Sequence, residues 1–344
     1  MNPLLRSSYA LSQAARIGLY FGQYWLSARL TKPVQPKRPI EGATPKTADI
    51  LEDLRRLMQR DMANIEAGYY RAPHDLGRDA VDALLGAEAY FRDLPQVERR
   101  RHQRQHDEVR QQEEAEEGYP RYYLQNFHFQ SDGWLSERSA KLYDHQVEVL
   151  FGGGADAMRR QALVPLHHFF TERPSRGARL LDLACGTGRF LTFVKANYPR
   201  LAVTALDLSP NYLAEAARNL APWRGVDFVQ AAAEETGLPD ASFEVVTCVY
   251  LFHELPPRVR PAVAREIARL LKPGGLFVLI DSIQQGDRPE YDGLLEYFPV
   301  AFHEPYYSSY VACDLTELFT EAGLVEQEVD VTYFSRMMTF RKPE

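Results

Sequence analysis

From Arg179 onward, short apolar runs alternate with stretches of helical period. "ARLLDLAC", "LAVTALDLS", "VDFVQAAA", "FEVVTCVYLF" and "GGLFVLIDS" carry little polar alternation, which is how a strand buried on both faces reads. Helical stretches such as "PAVAREIARLLKPGG" separate them. A strand that returns through a helix runs parallel to the one before it, so the pattern predicts an α/β fold with a parallel sheet covered on both faces. The end of the chain breaks the pattern. "LVEQEVDVTYFSR" runs almost directly into "MMTFRKP", leaving room only for a tight turn and hence for an antiparallel hairpin at the sheet's edge.

The first strand ends in Asp182-Leu183-Ala184-Cys185-Gly186-Thr187-Gly188, and a helix follows at once. Ligands of open α/β sheets bind beyond the carboxyl ends of the strands, where glycines let a ligand approach the backbone. The second strand ends in Asp207, at the offset where an acidic residue reaches ribose hydroxyls in nucleotide-binding sheets. Asp207 also precedes the helix starting near Pro210, so a capping role is the competing reading. The third glycine of the dinucleotide fingerprint is absent, with Phe190 and Leu191 in its place, which argues against NAD. Cys185 reads as a small turn residue rather than a nucleophile.

The runs "LLDLACGTGRFL", "ALDLSPNYLAEA", "VQAAAEETGLPDASFEVVTCVYLFHELP" and "ARLLKPGGLFVLID" resemble successive motifs of class I S-adenosylmethionine-dependent methyltransferases. The resemblance covers roughly residues 137–344 and implies a Rossmann-like seven-stranded sheet with a terminal antiparallel hairpin. It further implies that the turn at Ala184, Cys185, Gly186 and Gly188 passes the methionine part of the cofactor, and that Asp182 orders that turn. Asp207, with Leu208 beside it, would hold the ribose. Ala232, Ala233 and Glu234 would lie near the adenine, and Val249 and Tyr250 beside the sulfonium. Tyr143 resembles a position where a tyrosine reaches the cofactor's carboxylate, and reads equally well as a core ring. Ala184 departs from the family pattern, which often has glycine there.

The sulfonium methyl of such a cofactor is already electrophilic, so the protein's main task is to hold a nucleophile in line and exclude water. A general base is needed only for an acceptor that must lose a proton. Residues at the strand tips, His253 and Glu254 after the fourth strand and Asp281 after the fifth, are the candidates.

Ahead of the sheet, residues 1–136 read as a mainly helical accessory or substrate-cap region, with the methyltransferase domain from 137 to 344. Ile50, Leu54, Leu57, Met58 and Ile65 form one helical stripe, and Gly68 and Pro73 punctuate its end. "VERRRHQRQHDEVRQQEEAEE" reads as a solvated helix with internal ion pairs. "LSERSAKLYDHQVEVLFGGG" places Leu142, Tyr143, Val147, Leu150 and Phe151 on a helical face that the three glycines stop. In "GYPRYYLQNFHFQSDGW" and "EYFPVAFHEPYYSSY" aromatic rings crowd together on either side of the sheet region. If the two runs meet over the strand tips, they form a pocket for a planar or lipophilic acceptor, with Tyr122, Tyr123, His128, Trp134, Tyr306 and Tyr307 as substrate residues. Core packing is the alternative.

Before Glu41 every charged residue is basic: Arg6, Arg16, Arg29, Lys32, Lys37 and Arg38. Between them Ile17, Tyr20, Phe21, Tyr24 and Ala28 fall at helical spacing, with Ser12, Arg16, Gln23 and Ser27 opposite. Such a helix docks on its own domain, lies on a membrane surface through residues 10–30, or belongs to a transit peptide. No apolar run reaches the ~20 residues of a membrane span.

A net charge of -7 argues against nucleic acid as the default partner. Cys185, Cys248 and Cys313 are odd in number and far apart, which points to neither a disulfide framework nor a zinc site and suggests a cytoplasmic setting. No metal is expected. The resulting expectation is methyl transfer to a small aromatic or lipophilic acceptor. The alternatives are a protein or RNA methyltransferase using the N-terminal region for recognition, and a non-catalytic cofactor-binding module.

Overall fold

The computed structural model describes residues 3–36, 38–77, 79–109 and 118–344. Lys37 and the acidic end of the charged run, 110–117, lie outside them. The five apolar runs are strands β1 (Arg179–Leu183), β2 (Ala202–Asp207), β3 (Val226–Gln230), β4 (Phe243–Val249) and β5 (Leu271–Ser282), and the hairpin is β6 (Val325–Thr332) and β7 (Ser335–Arg341). Together they make one seven-stranded sheet of order β3-β2-β1-β4-β5-β7-β6. Strands β1 to β5 are parallel, and β7 runs antiparallel to both β5 and β6.

The last strand in the chain therefore lies inside the sheet and β6 takes the edge. The residues explain the choice. β7 buries Met337, Met338, Thr339 and Phe340, whereas β6 carries Glu326, Glu328 and Asp330, charges that protect an open edge from pairing with another chain. β3 forms the other edge and is half-exposed, with Phe228 at 39%, so of the five runs it alone is not a buried strand.

Period-two alternation splits the core between the two faces. Leu180, Val203, Val245 and Val278 pack on one side, and Leu181, Leu206, Val246 and Phe277 on the other, all essentially sealed from water. Each such side chain contributes about 1.5–3 kcal/mol from burial.

The N-terminal region folds as helices α1 (Pro3–Leu30), α2 (Thr47–Ala67) and α3 (Asp79–Gln103), and α4 (Glu137–Leu150) leads into the sheet. α2 buries Leu54, Leu57, Met58 and Ile65 as its stripe requires, and Gly68 closes it in a left-handed conformation at φ 82°. α3 begins well before the charged run and ends inside it. Its basic end is internally paired: Arg100 reaches Glu108 at 2.7 Å and Ser131 at 2.9 Å, and Arg101 reaches Glu98 at 3.0 Å.

α1 docks on its own domain through a mixed face: Tyr20 of the apolar stripe is buried and Ile17 packs beside Leu54, while Tyr24 and Ala28 stay exposed. Arg16, Gln23 and Ser27, read as the polar outer side, are buried together with Tyr9, Gln13 and Tyr20. Arg16 sits 2.5 Å from Glu148 and 2.8 Å from Asp156, and Gln23 bonds His145 of α4 at 2.8 Å. Leu4, Leu11, Trp25, Leu26 and Leu30 are instead exposed, by 41% to 79%. The reason is that α4 buries His145 and Glu148 against α1, and those groups need polar partners, which Gln23 and Arg16 supply. Among the described residues no helix is long and apolar enough to cross a membrane.

Candidate functional site

The parallel order reverses between β1 and β4, and the turn after β1 opens into a cavity there. Ala184, Gly186 and Gly188 all take left-handed φ, at 60°, 55° and 72°. For Ala184 this conformation is strained, which is why glycine suits the position better. A Cβ on Gly188 would press on Ala216 and Leu220 at 3.0–3.1 Å, so this glycine allows two helices to pack. Gly186 has open space where a Cβ would stand, leaving its backbone approachable from the cavity.

Asp207, at the tip of β2, accepts from the Gly186 N–H at 2.8 Å and the Ser209 N–H at 2.9 Å. The next helix is capped by Ser209, whose side chain accepts from the Tyr212 N–H, so Asp207 is not its cap. Burial pushes the Asp207 carboxyl up to about 6 against the pull of these backbone donors. Asp182 lies behind the turn and accepts from Thr247 of β4 at 2.6 Å, tying β1 to its neighbour, and burial pushes it up to about 7. Asp207 thus bonds the turn directly, beside the Cys185 N–H, which donates to the Leu206 carbonyl at 2.8 Å.

Of the sequence-derived cofactor residues, Tyr143, Asp182, Ala184, Cys185, Gly186, Asp207, Leu208, Ala233, Val249 and Tyr250 line this cavity. Gly188, Ala232 and Glu234 stand outside its lining, and Glu234 accepts from the Tyr122 hydroxyl at 2.7 Å. Of the acceptor residues, Tyr122, Tyr123 and Trp134 line it, while His128, Tyr306 and Tyr307 do not. Trp134 packs against Phe127, Tyr143 and Tyr212 with ring centroids 5.5–5.8 Å apart. The cavity holds ≈ 130 Å³, below the ~300 Å³ at which ligand clefts commonly begin. Tyr122, Tyr123, Phe127 and Trp134 of the aromatic segment form part of its wall.

Sequence reasoning missed Asp144, Arg159, Thr187 and Arg189, which also line the cavity. Arg159 and Arg189 belong to a buried ion network with Asp156 at 3.2 and 2.5 Å, joined by Arg16 from α1. Asp144 accepts from Thr187 at 2.7 Å through one oxygen, and its other buried oxygen has no hydrogen-bond partner. Its neighbour Tyr143 was the only signal in the sequence.

The catalytic candidates separate. Glu254 reaches the cavity, whereas His253 and Asp281 form a buried pair behind it, Nδ1 to Oδ1 at 2.5 Å. Asp281 is held in turn by the backbone N–H groups of Phe252 and Ser282, both at 2.7 Å. Burial opposes charging His253, but Asp281 outweighs it and holds the imidazole above its ordinary range.

The two aromatic runs do meet. His128 lies 5.9 Å from Phe302 and 6.3 Å from Phe298 between ring centroids, and Gln125 bonds the Tyr306 hydroxyl at 3.0 Å. A second cavity of ≈ 390 Å³ lies beyond this contact. Its lining includes His128, Phe302, Val147, Leu150, Leu94 and Tyr24.

Residues 180–275 match the family described as "Methyltransferase domain". These residues, from β1 into β5, carry a methyltransferase domain. Its similar proteins include a fatty-acid O-methyltransferase of Mycolicibacterium smegmatis, 30% identical over 42% of this chain and 52% of that one. A ubiquinone/menaquinone biosynthesis C-methyltransferase of Desulfotalea psychrophila is 38% identical over 30% of this chain and 41% of its own. The chain thus spans about half the length of these curated relatives. A solved S-adenosylmethionine-dependent methyltransferase from Aquifex aeolicus aligns with a TM-score of 0.44 at 17% identity, over 60% of this chain and 99% of that one.

The cavity suits S-adenosylmethionine in chemistry. Asp207 offers carboxylate oxygens beside an open glycine backbone, and Asp144, one oxygen of which is met only by the Arg159 guanidinium at 3.6 Å, offers the cavity an acceptor for an ammonium group. Arg159 and Arg189 place guanidinium charge in the same lining.

Proposed function

We propose that the chain transfers a methyl group from S-adenosylmethionine to a small lipophilic or aromatic acceptor. The observation that carries this reading is the pair of cavities that flank the aromatic contact, the cofactor cleft on one side and a larger, largely apolar space on the other. In this arrangement Asp207 takes the ribose hydroxyls, Asp144 the ammonium and Arg159 the carboxylate of the cofactor. Val249 and Tyr250 flank the sulfonium. The acceptor's head group enters between Tyr122, Trp134 and Glu254, with its apolar part in the second cavity. His253, held by Asp281, acts through Glu254 on any proton the acceptor must lose. The relatives named above act on a fatty acid and in quinone biosynthesis, which agrees with a lipophilic acceptor. The internally paired Arg100 and Arg101 speak against RNA.

A labelled-methyl transfer assay against separated lipid, metabolite, protein and RNA pools tests the reading. Label in a lipid or metabolite pool is expected, and label confined to protein or RNA would overturn it. Tyr123→Ala is expected to cut transfer by about tenfold or more while moving the unfolding free energy by only about 0.5 kcal/mol, since the ring is half-buried and over the cleft. A large loss of stability with unchanged transfer would make it packing alone.

The exposed Leu4, Leu11, Trp25, Leu26 and Leu30 of α1, with no acidic residue in the helix, support contact with a membrane surface that supplies such an acceptor. The full chain is expected to float with anionic liposomes, and a Leu11→Ser, Trp25→Ser, Leu26→Ser variant is expected to stay behind. Substitution is the sharper test than truncation, because Arg16 of the same helix is buried in the core.

A further inference from the structure

His128, Glu254 and Glu304 come from three segments far apart in sequence, yet one ligating atom from each lies within 4.8 Å of the others. His128 Nε2 is 3.1 Å from Glu304 Oε1 and 3.5 Å from Glu254 Oε1. Two ligands about 2.1 Å from a shared ion at tetrahedral or octahedral angles stand about 3.0–3.4 Å apart. The two spacings from His128 are close to that range, and the two carboxylates lie within 4.8 Å of each other.

Glu304 supplies the independent observation. It is 2% exposed, and apart from the His128 ring nitrogen beside Oε1 no donor reaches its carboxylate; Glu254 Oε2 has no hydrogen-bond partner. A carboxylate sealed from water with so little to satisfy it is costly when ionised, and a second carboxylate beside it adds repulsion. A cation between the two acids removes both costs.

We propose that His128, Glu254 and Glu304 form a binding site for a divalent first-row transition ion at the junction of the two cavities. An imidazole with two carboxylates suits zinc or manganese, and three protein ligands leave positions open for an incoming oxygen. Glu254 lines the cofactor cleft and His128 the larger cavity, so the open positions lie where the head group of the proposed acceptor would sit. An acceptor with a hydroxyl or carbonyl oxygen is thereby positioned on the ion. This positioning role rests on the methyl-transfer reading above; the ion site itself stands on the ligand geometry alone.

The test is metal content after dialysis against Zn²⁺ or Mn²⁺, with Mg²⁺ as control, read by elemental mass spectrometry. About one equivalent of zinc or manganese is expected on the full chain, and Glu304→Gln and His128→Ala are each expected to weaken retention by about tenfold or more. The amide in Glu304→Gln is neutral and isosteric, so folding is preserved, and a zinc-induced rise in Tm should vanish with it. S-adenosylhomocysteine binding, followed by calorimetry, should be unchanged in both variants. Wild-type protein without retained ion, or variants that keep it, would overturn the site and leave a carboxyl pair sharing a proton. Ion retained without any S-adenosylhomocysteine binding would instead defeat the methyl-transfer reading and spare the site.

Discussion

Replacing Asp207 with alanine is expected to weaken S-adenosylmethionine binding by about 100-fold or more in calorimetry, because each hydroxyl donated to a carboxylate contributes about 1.5–3 kcal/mol. The same carboxylate holds the Gly186 and Ser209 N–H groups, so the cofactor turn loosens in the variant as well. Unchanged affinity would end the assignment. The acidity of this group adds a second signature. With the carboxyl pushed up to about 6 in the free protein, the carboxylate is half present near pH 6, nearly complete by about pH 7.5, and lost as pH falls below 6. Hydroxyl donors favour the carboxylate, so affinity should be full near pH 7.5 and decline toward pH 5. Asp207→Asn should show weaker binding with a flatter profile, which separates this group from Asp182 behind it.

Arg16→Ala should be the most damaging single change in the N-terminal region, costing about 3–5 kcal/mol in a urea or thermal unfolding experiment. The guanidinium is buried between Glu148 and Asp156 and also donates to the Gly153 carbonyl at 3.1 Å. Removing it leaves two sealed carboxylates short of positive charge. Since Asp156 also holds Arg159 and Arg189 of the cofactor cleft, weaker cofactor binding should accompany the loss. A drop of less than about 1 kcal/mol would mean that α1 is peripheral to the fold. The exposed Leu11 and Trp25 of the same helix carry no such burden.

How far the sequence could be read differs sharply between the two halves of the chain. β1, β2, β4 and β5 were legible because a strand buried on both faces leaves an unbroken apolar run, and the glycine turn and Asp207 follow such runs at fixed offsets. The helical layer misled in a specific way. Apolar periodicity places hydrophobic residues inward, but α1 and α4 meet through Arg16, Gln23, His145 and Glu148, and their polar sides face each other. Periodicity cannot see that two polar faces satisfy one another, because the pairing exists only between segments more than a hundred residues apart. Asp144 and Arg159 escaped notice for the same reason, since neither belongs to a recognisable local spacing.

By itself, then, the sequence determined the sheet, the terminal hairpin and the acid at the tip of β2, all of which depend on local period or short offsets. Only the tertiary structure decided that β7 lies inside the sheet, that α1 turns its leucines outward, and that His128, Glu254 and Glu304 converge. Those outcomes depend on which buried charge finds which partner, and electrostatic pairing is a property of positions in space.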